Sequence, residues 1–192
     1  AWRPDPWVFN PRATYAHEAG AFYLWYRQQK GITGPLKIAI ISSEASPAYV
    51  DIHKGLEKFA SDNKDKIEVV ETVYTEVQPS DLSTQVNRLL RKGAQVINIQ
   101  TNTAAVVATK RALQALGRKD VPILMSSHNG LPASGKAAGG MAQMEGDYEV
   151  YGMAIPSSEM TETRKFYDKL VEKYKLASGW NIMTMMGMEQ MI

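Results

Sequence analysis

Four short apolar runs, each separated from the next by a segment that reads as helix, constrain this chain more than any other feature. They are "KIAIIS" at 37–42, "IEVVETVYT" at 67–75, "VINIQ" at 96–100 and "VPILM" at 121–125. Runs so rich in isoleucine and valine are the mark of strands covered on both faces. After the first, Pro47 opens "PAYVDIHKGLEKFASDN", at a helix start where a missing N–H costs nothing. After the second, Ser80 is the expected helix cap with Asp81 in the first turn. Leu82, Val86, Leu89 and Leu90 form the inward face of that helix, and Gly93 ends it. After the third comes an alanine-rich helix over 103–116. Upstream, residues 16–30 lack proline and stop at Gly31, with Ala19, Phe22, Tyr23 and Tyr26 at three- and four-residue steps. This order predicts an α/β fold of three layers, with a mainly parallel, doubly wound sheet between two layers of helices.

Beyond Ser126 the pattern changes. Residues 126–147 are rich in Gly, Ala and Ser and read as loop with one short helix. A further strand is expected over 148–155, then an amphipathic helix over 161–175 with Phe166, Leu170, Val171 and Tyr174 as its stripe. The chain finishes in "NIMTMMGMEQMI", where Met183, Met185, Met186, Met188 and Met191 read as a packing surface.

Composition excludes several function classes. The 22 basic and 20 acidic side chains give a formal net charge of +2 and form no basic run. Nucleic acid and anionic membranes are therefore poor candidate partners. No apolar run approaches the roughly 20 residues of a membrane span. The absence of cysteine rules out disulfides, a catalytic thiol and zinc–thiolate sites. The start, "AWRPDPWVFN", has neither a basic nor an apolar leader region, so the chain is expected to begin as mature protein or as a fragment.

In open α/β sheets ligands bind beyond the carboxyl ends of the strands. Three loops leave those ends: Ser42 to Tyr49, then Gln100 to Thr103, then Ser126 to Gly130. Ser42, Ser43, Glu44, Ser46 and Tyr49 in the first, Thr101, Asn102 and Thr103 in the second, and His128 and Asn129 in the third are the candidate ligand-binding residues. Their hydroxyls, amides and imidazole suit a small polar molecule held by neutral hydrogen bonds. In any one loop such residues most simply cap the following helix, and Glu44 most simply faces solvent. Three polar loops on one rim point to a site. Catalysis has less support: no glycine lies between Ser42 and Pro47 for a dinucleotide or phosphate loop, and no nucleophile elbow or metal-binding helix motif occurs. His17, His53 and His128 lack metal-ligand spacing, so no cofactor and no metal are expected. His53 reads as a surface residue of its helix. Trp25 and Tyr26 read as packing residues.

The stretch "SDLSTQVNRLLRKGAQVINIQTNTAAVVATKRALQALGRKDVPILMSS" resembles the branched-chain amino acid type of periplasmic substrate-binding protein, the receptor component of ABC importers with the type I two-lobed fold. "GDYEVYGMAIPSSEMTETRKFYDKLVEKYK" is similar to that family's return strand and tail helix. "VFNPRATYAHEAGAFYLWYRQQKGITGPLKIAIIS" is similar to the segment that crosses between its lobes. The resemblance implies an interlobe segment over 1–15, a second-lobe domain over 16–147 and a return crossing over 148–192, with a first lobe absent from this chain. It further implies an extracytoplasmic protein that captures a small solute and delivers it to ABC permease subunits. A ligand-sensing domain of a signalling receptor is the alternative on the same fold. Tyr49, Asn102, Thr103 and His128 fall at the family's contact positions. His128 stands where amino-acid-binding members tend to carry a carboxylate for the ligand's ammonium, so a carboxylate, an amide or an aromatic acid is expected rather than a simple α-amino acid. The methionine-rich tail would pack on the absent lobe or on a second copy, making a dimer.

Overall fold

The first apolar run becomes an interior strand of the sheet, second from one edge. In the computed structural model, β1 (Leu36–Ser42) buries every side chain except Lys37. It pairs in parallel with β2 (Ile67–Tyr74) on one side and β3 (Val96–Ile99) on the other. β4 (Ile123–Ser126) and β5 (Tyr148–Val150) extend the sheet, again in parallel, giving the order β2-β1-β3-β4-β5. Ile41 lies between Val73 and Ile99, so β-branched residues meet across three strands at the middle of the sheet. The structure describes residues 13–150 and 162–177, with Gly179, Trp180, Thr184 and Met188.

Side chains of a strand alternate between faces, and each face of this sheet is covered. α1 (Tyr15–Gln29) and α2 (Pro47–Asp62) cover one face, where Ala19, Phe22, Tyr23, Tyr26 and Leu56 pack on Leu36, Ile38, Ile40 and Leu124. α3 (Ser83–Arg91) and α4 (Thr103–Ala115) cover the other, where Val86, Leu89, Val106 and Leu113 pack on Ile41, Ile97, Ile99 and Ile123. Each wholly buried isoleucine contributes about 1.5–3 kcal/mol relative to exposure. The architecture is three-layered α/β with a parallel sheet, as the alternation of runs predicts. Thr14–Val150 forms one compact unit, and α6 (Glu162–Tyr174) belongs to a second. Among the described residues no helix is long and apolar enough to cross a membrane.

Several local expectations are corrected. Ser80 is exposed and caps nothing, because α3 begins at Ser83, with Leu82 in the capping position. The work passes to Asp81, whose Oδ1 accepts from the Ser83 N–H at 3.0 Å and the Ser83 hydroxyl at 2.6 Å. These bonds, the hydroxyl's first, hold the Asp81 carboxyl below its usual range. The Gly/Ala/Ser segment holds the one short helix expected, α5 (Leu131–Ala138), closed by Gly139 at φ 99°, and in addition a 3₁₀ helix, Met141–Met144. In α6 the buried ring is Tyr167, facing Trp180 with centroids 5.5 Å apart, while Phe166 and Tyr174 are exposed. Phe166 is one residue, about 100°, off the face that Tyr167 and Leu170 share. Trp25 is 45% exposed, whereas Tyr26 is buried.

The strand expected over 148–155 is described only as β5, and its remainder lies outside the described residues. So do residues 1–12 of the expected interlobe segment. Of the tail methionines Met188 is described, and it is buried; Met183, Met185, Met186 and Met191 lie outside.

One buried ion pair ties α4 to the edge of the sheet. Lys110 Nζ lies 2.6 Å from Asp147 Oδ2, with the Asp147 side chain 1% exposed. The Ile123 N–H donates to Asp147 Oδ1 at 2.9 Å. Burial pushes the Asp147 carboxyl above its usual range even though Lys110 and the amide favour its charge. Removing one member of such a pair strands the other, so Asp147→Ala is expected to cost about 3–5 kcal/mol in urea unfolding. The Arg118–Asp120 pair, at 2.8 Å but open to solvent, supplies the contrast. Asp120→Ala is expected to cost about 0–1 kcal/mol in the same measurement.

Candidate ligand site

From β1 the chain runs to β2 on one side of the sheet, and later returns past it to β3 on the other. The loops that follow β1 and β3 therefore part company, opening a crevice at their carboxyl ends. β4 delivers a third loop beside them.

Ser42 closes β1 fully buried. Its hydroxyl donates to the Tyr49 carbonyl at 3.4 Å and lies 3.1 Å from His53 Nδ1. With the serine proton committed to the carbonyl, Oγ accepts from the Nδ1–H of the imidazole. His53 is thus 3% exposed, against the expectation of a surface residue. The polar end of β1 and the Tyr74 hydroxyl, 3.4 Å from Nε2, satisfy the ring inside. Ser43 accepts from the Ala45 N–H at 3.3 Å and so shapes the turn. Ser46 is the cap of α2, accepting from the Ala48 N–H at 3.3 Å. Glu44 is exposed.

Three of the expected residues meet at one atom. Asn102 Oδ1 accepts from the Tyr49 hydroxyl at 2.9 Å and from the Nε2–H of His128 at 2.8 Å. Tyr49 comes from the loop and helix after β1, Asn102 from the loop after β3, and His128 from the loop after β4. The Tyr49 and His128 rings lie 6.4 Å apart at 60°.

Asn129 has another task. Its Nδ2 donates to the carbonyls of Ile99 at 3.0 Å and Thr101 at 2.8 Å, and its Oδ1 accepts from the Ser126 N–H at 3.0 Å. Its own carbonyl accepts from the Ser134 hydroxyl at 2.6 Å. At 0% exposure this side chain ties the β3 and β4 loops together and has no donor left for a ligand, so it positions the site rather than touching a solute. Its amide and that of Gln100 come from a wider buried polar set. Gln100 Nε2 donates to Asn98 Oδ1 at 2.6 Å, and Asn98 Nδ2 donates to the Tyr23 hydroxyl of α1. Burial pushes the Tyr23 phenol far above its ordinary range, with Asn98 opposing the shift.

A pocket of about 190 Å³ occupies the crevice. Of the candidate residues singled out in the sequence, Ser46, Tyr49, Thr101 and His128 line it; Ser42, Ser43, Glu44, Asn102, Thr103 and Asn129 do not. Gln100 and Ser126, together with Tyr15, Ala48 and Ile52, line it without having been selected. The signal for Gln100 lies in β3, where Asn98 and Gln100 interrupt an apolar run at a spacing of two, on one face. No carboxylate among the described residues lines the pocket. Among the described residues no group of His, Asp and Glu could hold a metal.

This geometry has known counterparts. The model of the family described as periplasmic binding protein matches residues 1–191. The chain belongs to the periplasmic binding protein family. It has the fold of one lobe of the type I members, a family of solute-binding proteins rather than enzymes. A branched-chain amino acid ABC transporter protein from Thermus thermophilus, with bound valine, has a similar structure at TM-score 0.70 and 18% identity, over 88% of this chain and 41% of that one. An extracellular ligand-binding receptor from Verminephrobacter eiseniae matches at TM-score 0.68 and 19% identity, over 90% and 47% of the two chains. A solute-binding protein of an ABC transporter from R. palustris, in complex with 4-hydroxybenzoate, matches at TM-score 0.60 and 18% identity, over 85% and 42%. The chain thus spans less than half the length of these solved relatives. A search of curated proteins finds no significant match.

Asn129→Ala would leave the Ile99 and Thr101 carbonyls and the Ser126 N–H without partners. The expected loss is about 3–9 kcal/mol in urea unfolding, summed from roughly 1–3 kcal/mol for each of the three stranded buried groups. Hydrogen exchange at the Ser126 amide is expected to accelerate with it.

Proposed function

We propose that this chain supplies one wall of a solute cleft in an extracytoplasmic receptor that serves an ABC importer, and that its solute is a carboxylate, an amide or an aromatic acid rather than a simple α-amino acid. Family membership and the solved transporter relatives support the receptor role. The observation that carries the choice of solute is the neutral pocket. Among the described residues its polar lining is hydroxyl, amide and imidazole, with no carboxylate to receive a desolvated ammonium, which is costly to bury unpaired. Ile52 and the rings of Tyr15 and Tyr49 add apolar surface that suits a flat or short apolar body.

The volume of about 190 Å³ is below the roughly 300–1,000 Å³ of complete small-molecule sites. Half of a cleft has this size. In such a receptor the other lobe closes over the solute by hinge bending, and both walls replace its water. The partners of the whole protein would be the solute and the permease subunits that take it.

Titration of the full chain followed by NMR of the His128 and Tyr49 rings tests the reading. 4-Hydroxybenzoate and benzamide are expected to shift both rings saturably, and leucine and valine to leave them unmoved. His128→Glu is expected to reverse that order, because it places a carboxylate at the rim. Saturable binding of leucine or valine by the unaltered chain would sink the choice of solute.

A further inference from the structure

A second hollow lies at the opposite end of the strands. Where the loops into β1, β3 and β4 enter the sheet, a pocket of about 440 Å³ opens, inside the roughly 300–1,000 Å³ of small-molecule sites. Ile32, Leu90 and Val121 give it an apolar lining. Its polar groups come from Tyr26 and Lys30 at the end of α1, Gln95 before β3, and Arg118 and Asp120 before β4. All of these residues belong to the compact unit Thr14–Val150, and none of them lines the solute crevice.

The polar groups of this hollow are committed unequally. Gln95 Oε1 accepts from the Lys37 N–H at 2.9 Å, so the uncommitted end of that side chain is its NH₂ group, a donor. Arg118 Nε and Nη2 each donate to the Asp120 carboxylate at 2.8 Å, which engages the one carboxylate among the described lining residues. The charge of Lys30 is left over. Its Nζ lies 5.6 Å from the centroid of the Tyr26 ring and forms no ion pair among the described residues. Tyr26 adds an independent observation. The residue is 6% exposed, yet its hydroxyl makes no hydrogen bond among the described residues. The oxygen is unpartnered without being sealed off, so a bound molecule can reach it. Burial, then the neighbouring Tyr148 and Asp120, push the phenol above its ordinary range, so it keeps its proton to donate. The influence of Asp120, itself a lining residue, puts the phenol oxygen on the pocket side.

We propose that this hollow is a second small-molecule site that takes an organic monoanion. Its carboxylate accepts from the Tyr26 hydroxyl, the Gln95 NH₂ group and the Lys30 ammonium, and its apolar body lies against Ile32, Leu90 and Val121. Each side-chain group left uncommitted on this wall can donate, and a carboxylate answers them with acceptors while offsetting the spare positive charge. A neutral amide would bring N–H groups to a wall already supplied with them, and an ammonium would add to the surplus charge. The site stands at the other end of the sheet from the crevice and does not rest on the reading of the crevice as a solute site.

NMR spectra of the full chain test this, read at the Gln95 side-chain amide and the Tyr26 ring. The probes are sodium benzoate, benzamide and benzylammonium chloride at constant ionic strength. Benzoate is expected to shift both signals saturably, and benzamide and benzylammonium to leave them in place. Tyr26→Phe keeps the ring and is expected to weaken benzoate binding at this site by about tenfold or more, as for a lost hydrogen bond to a charged group. The Tm of the unliganded variant is expected to be unchanged, because the hydroxyl bonds to nothing until the ligand arrives. Lys30→Gln removes an exposed charge and is expected to weaken benzoate binding about threefold. The proposal falls if benzoate leaves the Gln95 amide unmoved, or if benzamide or benzylammonium shifts it as saturably. It also falls if either variant binds benzoate unchanged, or if Tyr26→Phe melts lower, which would make the hydroxyl structural. The Tyr49 and His128 rings report on the crevice separately, so either site can fail without the other.

Discussion

The polar rim takes its position from the divergence of the chain between β1 and β3. Both strands are central and buried on two faces, so neither can shift by a residue without turning isoleucines outwards. Their successors nevertheless leave in opposite directions, and a crevice between them is unavoidable. What remains is to hold three loops at its edge. Asn129 does so for the second and third, spending a whole side-chain amide on the carbonyls of Ile99 and Thr101 and the amide of Ser126. The Ser42 hydroxyl does so for the first, joining the Tyr49 carbonyl to the buried His53 ring.

On that support, a single oxygen organises the site. Asn102 Oδ1 gathers a phenol and an imidazole from two other elements, and in doing so it gives up its capping role. Among the described residues the resulting wall is polar but carries no carboxylate. Charge is placed elsewhere: the Glu149 carboxylate is committed to α5, and Asp147 is paired with Lys110. On the proposed function, such a wall would suit acceptors and apolar rings better than ammonium groups.

Much of the fold was legible in the residues. The isoleucine and valine runs are too short for core helices, and all four became parallel strands; β1, β3 and β4 are buried on both faces, while the edge strand β2 is only partly so. The buried face of α1 was readable because Ala19, Phe22, Tyr23 and Tyr26 follow helical spacing. Legibility failed where several local solutions were nearly equal. Ser80 and Asp81 are both good caps, and a two-residue difference in chain path decided between them. In α6 the stripe could be drawn through Phe166 or Tyr167. α5 was foreseen only as one short helix of unstated bounds within a Gly/Ala/Ser-rich stretch, and the 3₁₀ helix after it was not foreseen. At the site, Ser46, Tyr49, Thr101 and His128 were readable from their place after strands. Gln100 was hidden as a strand-end amide, and Asn129 looked like a ligand contact although it is wholly internal.

The order of elements, the parallel sheet and the polar character of its carboxyl end were determined by the sequence alone, because strand burial and helical periodicity are local patterns that one chain segment carries by itself. Tertiary structure decided how each polar residue is used. Tyr49, Asn102 and His128 are separated by 53 and 26 positions along the chain, and nothing in their local neighbourhoods says that one oxygen will serve both rings. That pairing leaves α4 without a side-chain cap. Hydrogen bonds between distant segments depend on where the sheet brings its strand ends, and a sequence read segment by segment does not contain that distance.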